Sequence, residues 1–266
     1  MRGYSWEMLL SRTVRFALSP THPAEVTSPK NNAYAAWPST KGWHAHVSLE
    51  IVIAGEPDPR TGYLISISEI DEIARRTALP FIDKSFRGGG AQEMCLKPVA
   101  DALREDLPFP LQSITLTQSD FLSFFYEVSM PNHATMTQSF EFAASHRLHC
   151  DDLDAATNLK IFGKCNNAAG HGHNYRVEVS VRTLIQDPPQ VRVDQLEQVV
   201  RQNVIDQLDH KHLNSDVAIF ANHNPSVEMI AQVCHDWLVQ PIKALGGELV
   251  RVRVWETEKT SAMYPG

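Results

Sequence analysis

Alternation of apolar and polar residues predicts four β-strands in each half of the chain. In the first half the pattern covers Arg12 to Leu18 and Val47 to Ala54, and it returns near the end of that half. Successive side chains of a strand point to opposite faces, so such a pattern is typical of a sheet with one buried face. Five further strands have predicted bounds, 112–117, 121–126, 135–146, 171–181 and 249–257, and the eighth is expected only from the repeat of the first half.

Helical periodicity fills the middle of each half. In the first half we expect a helix from Ser68, with Asp71 three residues later as a capping box. A second helix is predicted over about 91–105, where Pro98 should kink or delay it. In the second half one helix is predicted over 194–208, and another beginning at Asn224 with proline at its first position.

The two halves are copies of one unit. RTVRFALS at 12–19 aligns with QSFEFAAS at 138–145, and 115–126 aligns without gaps with 253–264. Each copy reads strand, strand, helix, helix, strand, strand, which predicts an α+β fold with domains at 1–129 and 130–266. A lone four-stranded sheet with helices on one face leaves its edges unprotected. We therefore expect a homo-oligomer.

Composition narrows the class of protein. The net charge of −7 gives no general basic footprint for nucleic acid, so no nucleic-acid partner is expected. Four scattered cysteines suit a reducing compartment. No apolar run reaches membrane-spanning length, and the first residues lack the pattern of a signal peptide. A cytoplasmic enzyme or binding protein is predicted.

Three histidines predict a metal site. His171 and His173 are two apart on a strand, so both imidazoles point to one face, which is also the face of Tyr175 and Val177. His146, at the end of the preceding strand, supplies a third ligand if the two strands form a hairpin. Three imidazoles with an open fourth position are typical of catalytic zinc.

Cys165 lies in the loop between these strands. It is either a fourth zinc ligand or a free thiolate near the metal. A histidine pair or a single cysteine is a weak signal by itself, because most such residues are surface or core positions. Their occurrence together, with Gly163, Gly170 and Gly172 in the same loop, favours a site.

The motifs F-x-F-x-A-S-H and F-G-K-C-N-N-x-x-G-H-G-H-N-Y resemble those of the 6-pyruvoyl-tetrahydropterin synthase family. That family includes 6-carboxytetrahydropterin synthase of queuosine biosynthesis. The spacing of five residues between the cysteine and H-G-H resembles the pyruvoyl-type enzymes. The resemblance implies tandem tunnelling-fold (T-fold) units, each a ββααββ sheet with two helices on one face, which assemble into a β-barrel oligomer.

The resemblance also implies an activity. It is that of a lyase with a Zn²⁺ cofactor on His146, His171 and His173. The substrate would be 7,8-dihydroneopterin triphosphate and the product 6-pyruvoyltetrahydropterin, with loss of triphosphate. The alternatives are 6-carboxytetrahydropterin from the same substrate, or a non-catalytic pterin-binding or scaffold protein.

The resemblance assigns further roles around the metal. Cys165 would be the base, and Asp209 and His210 a proton relay. Glu256, followed by Thr257, would anchor the pterin, because a carboxylate accepts two parallel N–H bonds from a planar donor pair.

The first half lacks most of these residues. Pro20 stands at the position of His146, Lys84 at that of His210 and Gln118 at that of Glu256. His44 and His46 remain, but they share the parity of the polar residues Ser48 and Glu50 and therefore face away from the apolar side of their strand. We expect the first half to be a degenerate structural copy.

Overall fold

The computed structural model describes residues 8–24 and 36–265, which fall into two compact units. The first comprises Met1–Met136 with Leu184–Pro189, and the second Thr137–Thr183 with Gln190–Gly266. The division lies a few residues after the predicted boundary at 129/130. Both units combine an antiparallel sheet with helices, so the α+β prediction is confirmed.

The first unit contains a four-stranded antiparallel meander. Alternate side chains of its strands, such as Val14, Phe16, Leu49 and Ile51, are buried, as the apolar pattern predicts. The strands are β1 (Met8–Leu18), β2 (Ala45–Gly55), β3 (Leu111–Ser119) and β4 (Leu122–Glu127).

Both predicted helices of the first unit are present, with corrected starts. The first begins at Ile67, not Ser68, and no capping box forms because the Ser66 and Ser68 hydroxyls bond to each other at 2.7 Å. Pro98 delays the second α-helix, which follows a 3-10 turn and holds the proline in its first turn. The segments are α1 (Ile67–Ile73), a π-helical turn (Ala74–Ala78), α2 (Leu79–Gly88), the 3-10 turn (Gln92–Cys95) and α3 (Leu96–Asp106).

The second unit repeats the sheet. Its four long strands follow the order β5, β6, β8, β9, and a short strand pairs in parallel with the end of β5. They are β5 (His133–His146), β6 (His171–Leu184), β7 (Lys211–His212), β8 (Glu248–Thr257) and β9 (Thr260–Tyr264).

The segment between β5 and β6 was predicted as a long loop, and this is wrong in part. It contains a helix because Asp154 accepts a bond from the Thr157 amide at 2.7 Å and so caps it. The added segments are α4 (Ala155–Phe162) and a 3-10 turn (Gly163–Asn166).

The last long helix starts later than predicted. It begins at Val227, capped by Ser226, because Asn224 and Pro225 bind the β5–β6 segment instead. The helices of this unit are α5 (Val193–Val200), a π-helical turn (Arg201–Ile205), α6 (Asp206–Leu208), α7 (Leu213–Asp216), a 3-10 turn (Ala218–Ala221) and α8 (Val227–Ala244). Among residues 8–24 and 36–265, no helix has the length and apolar character needed to cross a membrane.

Candidate metal centre

Three imidazoles meet where β5 ends and β6 begins. His146 is the last residue of β5, and His171 and His173 are the first and third of β6. One nitrogen from each ring lies within 4.8 Å of the other two, and His146 Nε2 is 3.2 Å from His171 Nε2. We call these three residues the histidine cluster.

His146 is held in one orientation. Its ring is fully buried, and Nδ1 lies 2.7 Å from the carbonyl oxygen of Pro225, so Nδ1–H donates there. Tyr175 Oη is 3.5 Å from the same nitrogen. The lone pair of a neutral His146 is therefore on Nε2, which faces the cluster. A histidine ligand with its second nitrogen bonded to a carbonyl is the usual arrangement around protein metals.

The cluster has the properties of a zinc site. Two nitrogens at about 2.0–2.1 Å from a tetrahedral zinc would be about 3.3 Å apart, close to the His146–His171 separation. His173 Nε2 is buried without a hydrogen-bond partner among the described residues. Burial above all lowers the pKa of His171 and His173, which keeps these rings neutral and able to bind a cation.

Glu256 closes one side of the cluster. Its Oε1 lies 3.3 Å from His146 Nε2 and 3.5 Å from His173 Nε2. The contact with His146 is the main cause that lowers the pKa of Glu256, so a negative charge stands beside the three rings. Thr257 follows at the exposed end of β8, where its hydroxyl accepts a bond from the Lys259 amide.

Backbone contacts hold the β5–β6 segment against the cluster. The side-chain amide of Asn214 bonds both to the amide and to the carbonyl of Arg147, at 2.8 and 3.0 Å. The amide of Leu148 donates to the carbonyl of Cys165 at 2.9 Å. Cys165 is thereby tied to the chain just after His146.

The thiol of Cys165 is partly exposed and free. Burial first, then the charges of Glu256 and Cys165, raise the pKa of Tyr175 far above its usual range. Burial raises the pKa of Cys95 and of Cys234 to about 12, so neither forms a thiolate near neutral pH.

Asp209 and His210 form a pair at the end of α6. Asp209 Oδ2 is 2.7 Å from His210 Nδ1, and Oδ1 accepts the Ala143 amide at 2.9 Å. The amide bond is the larger cause that lowers the pKa of Asp209, with the His210 contact second. The carboxylate is therefore ionised at neutral pH and orients the exposed imidazole.

This pair borders an open groove of about 640 Å³ that also reaches His173. His210 adopts a left-handed backbone with φ of 56°, and its amide bonds to the Ala143 carbonyl at 2.6 Å. The groove is lined by Ala143, Ala144, Ser145, Gly172, His173, Asn174, His210, Lys211, His212 and Asp216. The structure thus groups the histidine cluster with Glu256, and places His210 on a groove shared with His173.

Sequence reasoning missed the residues that support the cluster. Asn158 is fully buried and bonds to the amide and the carbonyl of Cys150 and to the carbonyl of Leu153, each at 2.9 Å. Asn224 accepts the amide of His149 at 2.8 Å. Such roles depend on contacts between distant segments. The only sequence signal was an asparagine beside a proline, which equally predicts a helix cap.

Gly170 permits the close approach of the two strands. It has a φ of +71°, and an added Cβ would lie 2.9 Å from both the His146 carbonyl oxygen and His212 Nε2. Gly170→Ala should lower the free energy of unfolding by about 1–2 kcal/mol for the left-handed backbone. Overpacking should cost about 1–3 kcal/mol more, and metal content should fall.

The matched control for that substitution is Gly62→Ala. Gly62 has a φ of +74° but nothing within 4 Å of an added Cβ. Gly62→Ala should therefore lose only the stability that the left-handed backbone costs, without overpacking. Denaturant unfolding and metal analysis of both variants would test the assignment. Equal losses of stability, with full metal content in both, would contradict it.

The first unit has no equivalent cluster among its described residues. In β2, buried Val47 and Leu49 alternate with exposed His46. Trp43 and Ala45 therefore stand at the positions that correspond to His171 and His173 of β6. His46 instead stacks on Trp37, with ring centroids 5.0 Å apart.

The family model for 6-pyruvoyl tetrahydropterin synthase matches residues 135–266. The human 6-pyruvoyl tetrahydrobiopterin synthase is 38% identical over 136 residues, which are 50% of this chain and 92% of that protein. The chain belongs to the 6-pyruvoyl tetrahydropterin synthase family.

Two further proteins are similar to about half of this chain. The Drosophila melanogaster 6-pyruvoyl tetrahydrobiopterin synthase is 38% identical over 135 residues, 50% of this chain and 80% of that protein. The solved Caenorhabditis elegans 6-pyruvoyl tetrahydropterin synthase is 32% identical, with a TM-score of 0.47, and the match covers 50% of this chain and 96% of that one. The histidine cluster, Cys165, Asp209, His210 and Glu256 all lie in the part of the chain that the family model matches.

Proposed function

We propose that this chain is a zinc-dependent lyase that converts 7,8-dihydroneopterin triphosphate to 6-pyruvoyltetrahydropterin with loss of triphosphate. The histidine cluster carries the proposal: three imidazoles come together at one point, and the free Cys165 lies in the segment that joins their strands, in a sequence 38% identical to an enzyme named for that product. His146, His171 and His173 are the proposed ligands. A bound zinc would act as a Lewis acid on the hydroxyls of the substrate side chain.

The protein residues then have separate tasks. Cys165, as thiolate, removes a proton from carbon next to the pterin ring. His210 exchanges protons with the side chain, and Asp209, ionised and bonded to Nδ1, fixes the ring with Nε2 toward the groove. The carboxylate of Glu256 accepts two parallel N–H bonds from the pterin, and Thr257, the next residue, belongs to the same binding site.

A second product shares these early steps. Loss of a two-carbon aldehyde from the same substrate would give 6-carboxytetrahydropterin. The spacing of five residues between Cys165 and His171 resembles the pyruvoyl-type enzymes, which favours the first product.

We further propose that residues 130–266 form the catalytic domain and residues 1–129 a degenerate copy. The chain would assemble as a homo-oligomer that closes a barrel. β1 and β9 each pair with a neighbour on one side only in the described chain, and Met8, Leu9, Met263 and Tyr264 on them are exposed. Closing a barrel removes such edges. Four free cysteines favour a reducing, cytoplasmic setting.

Incubation with 7,8-dihydroneopterin triphosphate, followed by mass spectrometry, tests the proposal. The zinc-loaded protein should release triphosphate and form 6-pyruvoyltetrahydropterin. The carboxy product would assign the chain to the second reaction. Unchanged substrate in the presence of bound zinc would overturn the proposal that the chain is an enzyme, and it would favour a pterin-binding or scaffold protein.

A further inference from the structure

A second cavity lies in the first unit, where β1 ends and β2 begins. Its volume is about 480 Å³, within the range of about 300–1,000 Å³ that is typical of small-molecule sites. By the internal repeat, this place corresponds to the metal site of the second unit. The cavity is lined by Phe16, Ala17, Ser19, Thr21, His22, Pro23, Ala24, Pro38, Ser39, Thr40, Lys41, Gly42, Trp43, His44, Arg75 and Leu79. We call it the first-unit cavity.

Arg75 is a buried cation in the wall of this cavity. Only 5% of its surface is exposed, and its Nε has no hydrogen-bond partner among the described residues. The guanidinium makes one long bond, 3.4 Å, to the carbonyl of Arg15, and it lies over the ring of Phe16. A buried guanidinium with unused donors is costly unless an anion accepts from them.

The buried carboxylate nearest to Arg75 in sequence is already occupied. Asp71, one helical turn before Arg75, accepts two bonds from Arg12 at 2.7 and 2.6 Å. Burial is the main cause that lowers the pKa of Arg75, and the charge of Arg12 adds to it, against the opposite effect of Asp71. The three side chains together carry a net charge of +1, and no other described ion pair involves them.

The other described residues that line the cavity add hydrogen-bond donors and no carboxylate. No Asp or Glu is among the described residues that border the cavity. Lys41 forms no ion pair with any described residue, so its ammonium group is available. Ser19, Thr21, Ser39 and Thr40 supply hydroxyl groups.

From this arrangement we propose that the first-unit cavity binds a phosphate group, either free phosphate or the phosphate of a small ester, with Arg75 as its principal ligand. The planar fork of an arginine matches phosphate oxygens in pairs. Donors on several sides of the cavity suit a tetrahedral anion with several oxygens better than a carboxylate. The first unit would then be a binding module, although it lacks the metal ligands of the second.

Isothermal titration of the full-length, zinc-loaded protein with inorganic phosphate tests this proposal. We expect saturable binding at about one site, and at least tenfold weaker binding in Arg75→Met. Arg76→Met is the matched control: its guanidinium is half-exposed and pairs with Asp106 at 3.1 Å, outside the cavity, so phosphate affinity should not change. His171→Ala should also leave the affinity unchanged, which separates this site from the metal.

A second variant and a second ligand test the proposal independently of Arg75→Met. Lys41→Met changes an exposed residue and should weaken phosphate binding severalfold even if Arg75→Met fails to fold. Phenyl phosphate that binds more tightly than phosphate would identify an ester as the ligand, and equal or weaker binding would identify the free anion. Absence of saturable binding, unchanged affinity in Arg75→Met or Lys41→Met, or tighter binding of acetate than of phosphate would each overturn the proposal.

Discussion

His171→Ala is expected to reduce bound zinc from about one per chain to almost none, and to abolish turnover. The substitution leaves two imidazoles, His146 and His173, where a catalytic zinc site needs three protein ligands. Changes to residues that only orient a ligand already cost about 10–100-fold in metal affinity. Loss of a ligand should exceed about 100-fold. Metal analysis after dialysis, with circular dichroism as a check on folding, measures the effect.

His46→Ala is the control for this change. His46 also lies on the second strand of its unit, but it is exposed and stacks on Trp37 instead of facing two other histidines. Zinc content should therefore be unchanged in this variant, and likewise in His44→Ala. Two tightly bound zincs per chain in the unmodified protein, or full zinc content in His171→Ala, would contradict the assignment of a single site to the second unit.

The strands and the facing of the histidines were predictable because they follow from local periodicity. In β6 the burial alternates from His171 through Val177. His171 and His173 therefore point to the same face of the strand as the buried residues Tyr175 and Val177. The same parity places His46 on the solvent face of β2. Alternation of apolar and polar residues with a period of two can be recognised from the local sequence, without knowledge of the rest of the chain.

The details of helix ends were less predictable, because distant groups compete for the capping residues. Asn224 is a good cap by type, but it bonds instead to the amide of His149, 75 positions earlier in the chain. Pro225 was read as a first helical residue, but its carbonyl accepts from the ring of His146. In both cases a residue at or just after the end of β5 binds the side chain or backbone that local rules assign to the helix.

The environment of Glu256 could not be predicted for the same reason. Its sequence context suggests a substrate anchor, and nothing local indicates that Oε1 lies within 3.5 Å of two imidazole nitrogens. Arg75 is a similar case, because charged residues on a helix are usually exposed. Its burial arises where its helix packs on β1, beside Phe16.

Cys165→Ala is expected to keep zinc and to lower turnover by about 10²–10⁴-fold, the usual contribution of a positioned acid or base. The histidine cluster already provides three ligands, so removing the thiol should leave the metal bound. The backbone bond from Leu148 to the carbonyl of residue 165 does not depend on the side chain, so the loop should keep its path. Steady-state kinetics together with metal analysis separate the two effects.

Cys150→Ala is the matched control for the thiol. Cys150 is also a free, partly exposed cysteine in the β5–β6 segment, and its bonds to Asn158 use only its backbone. Zinc content and turnover should both stay close to those of the unmodified protein. If Cys165→Ala loses zinc while Cys150→Ala retains it, then Cys165 is a fourth ligand that closes the site. If Cys165→Ala keeps both zinc and activity, then another group removes the proton, and His210 becomes the first residue to test.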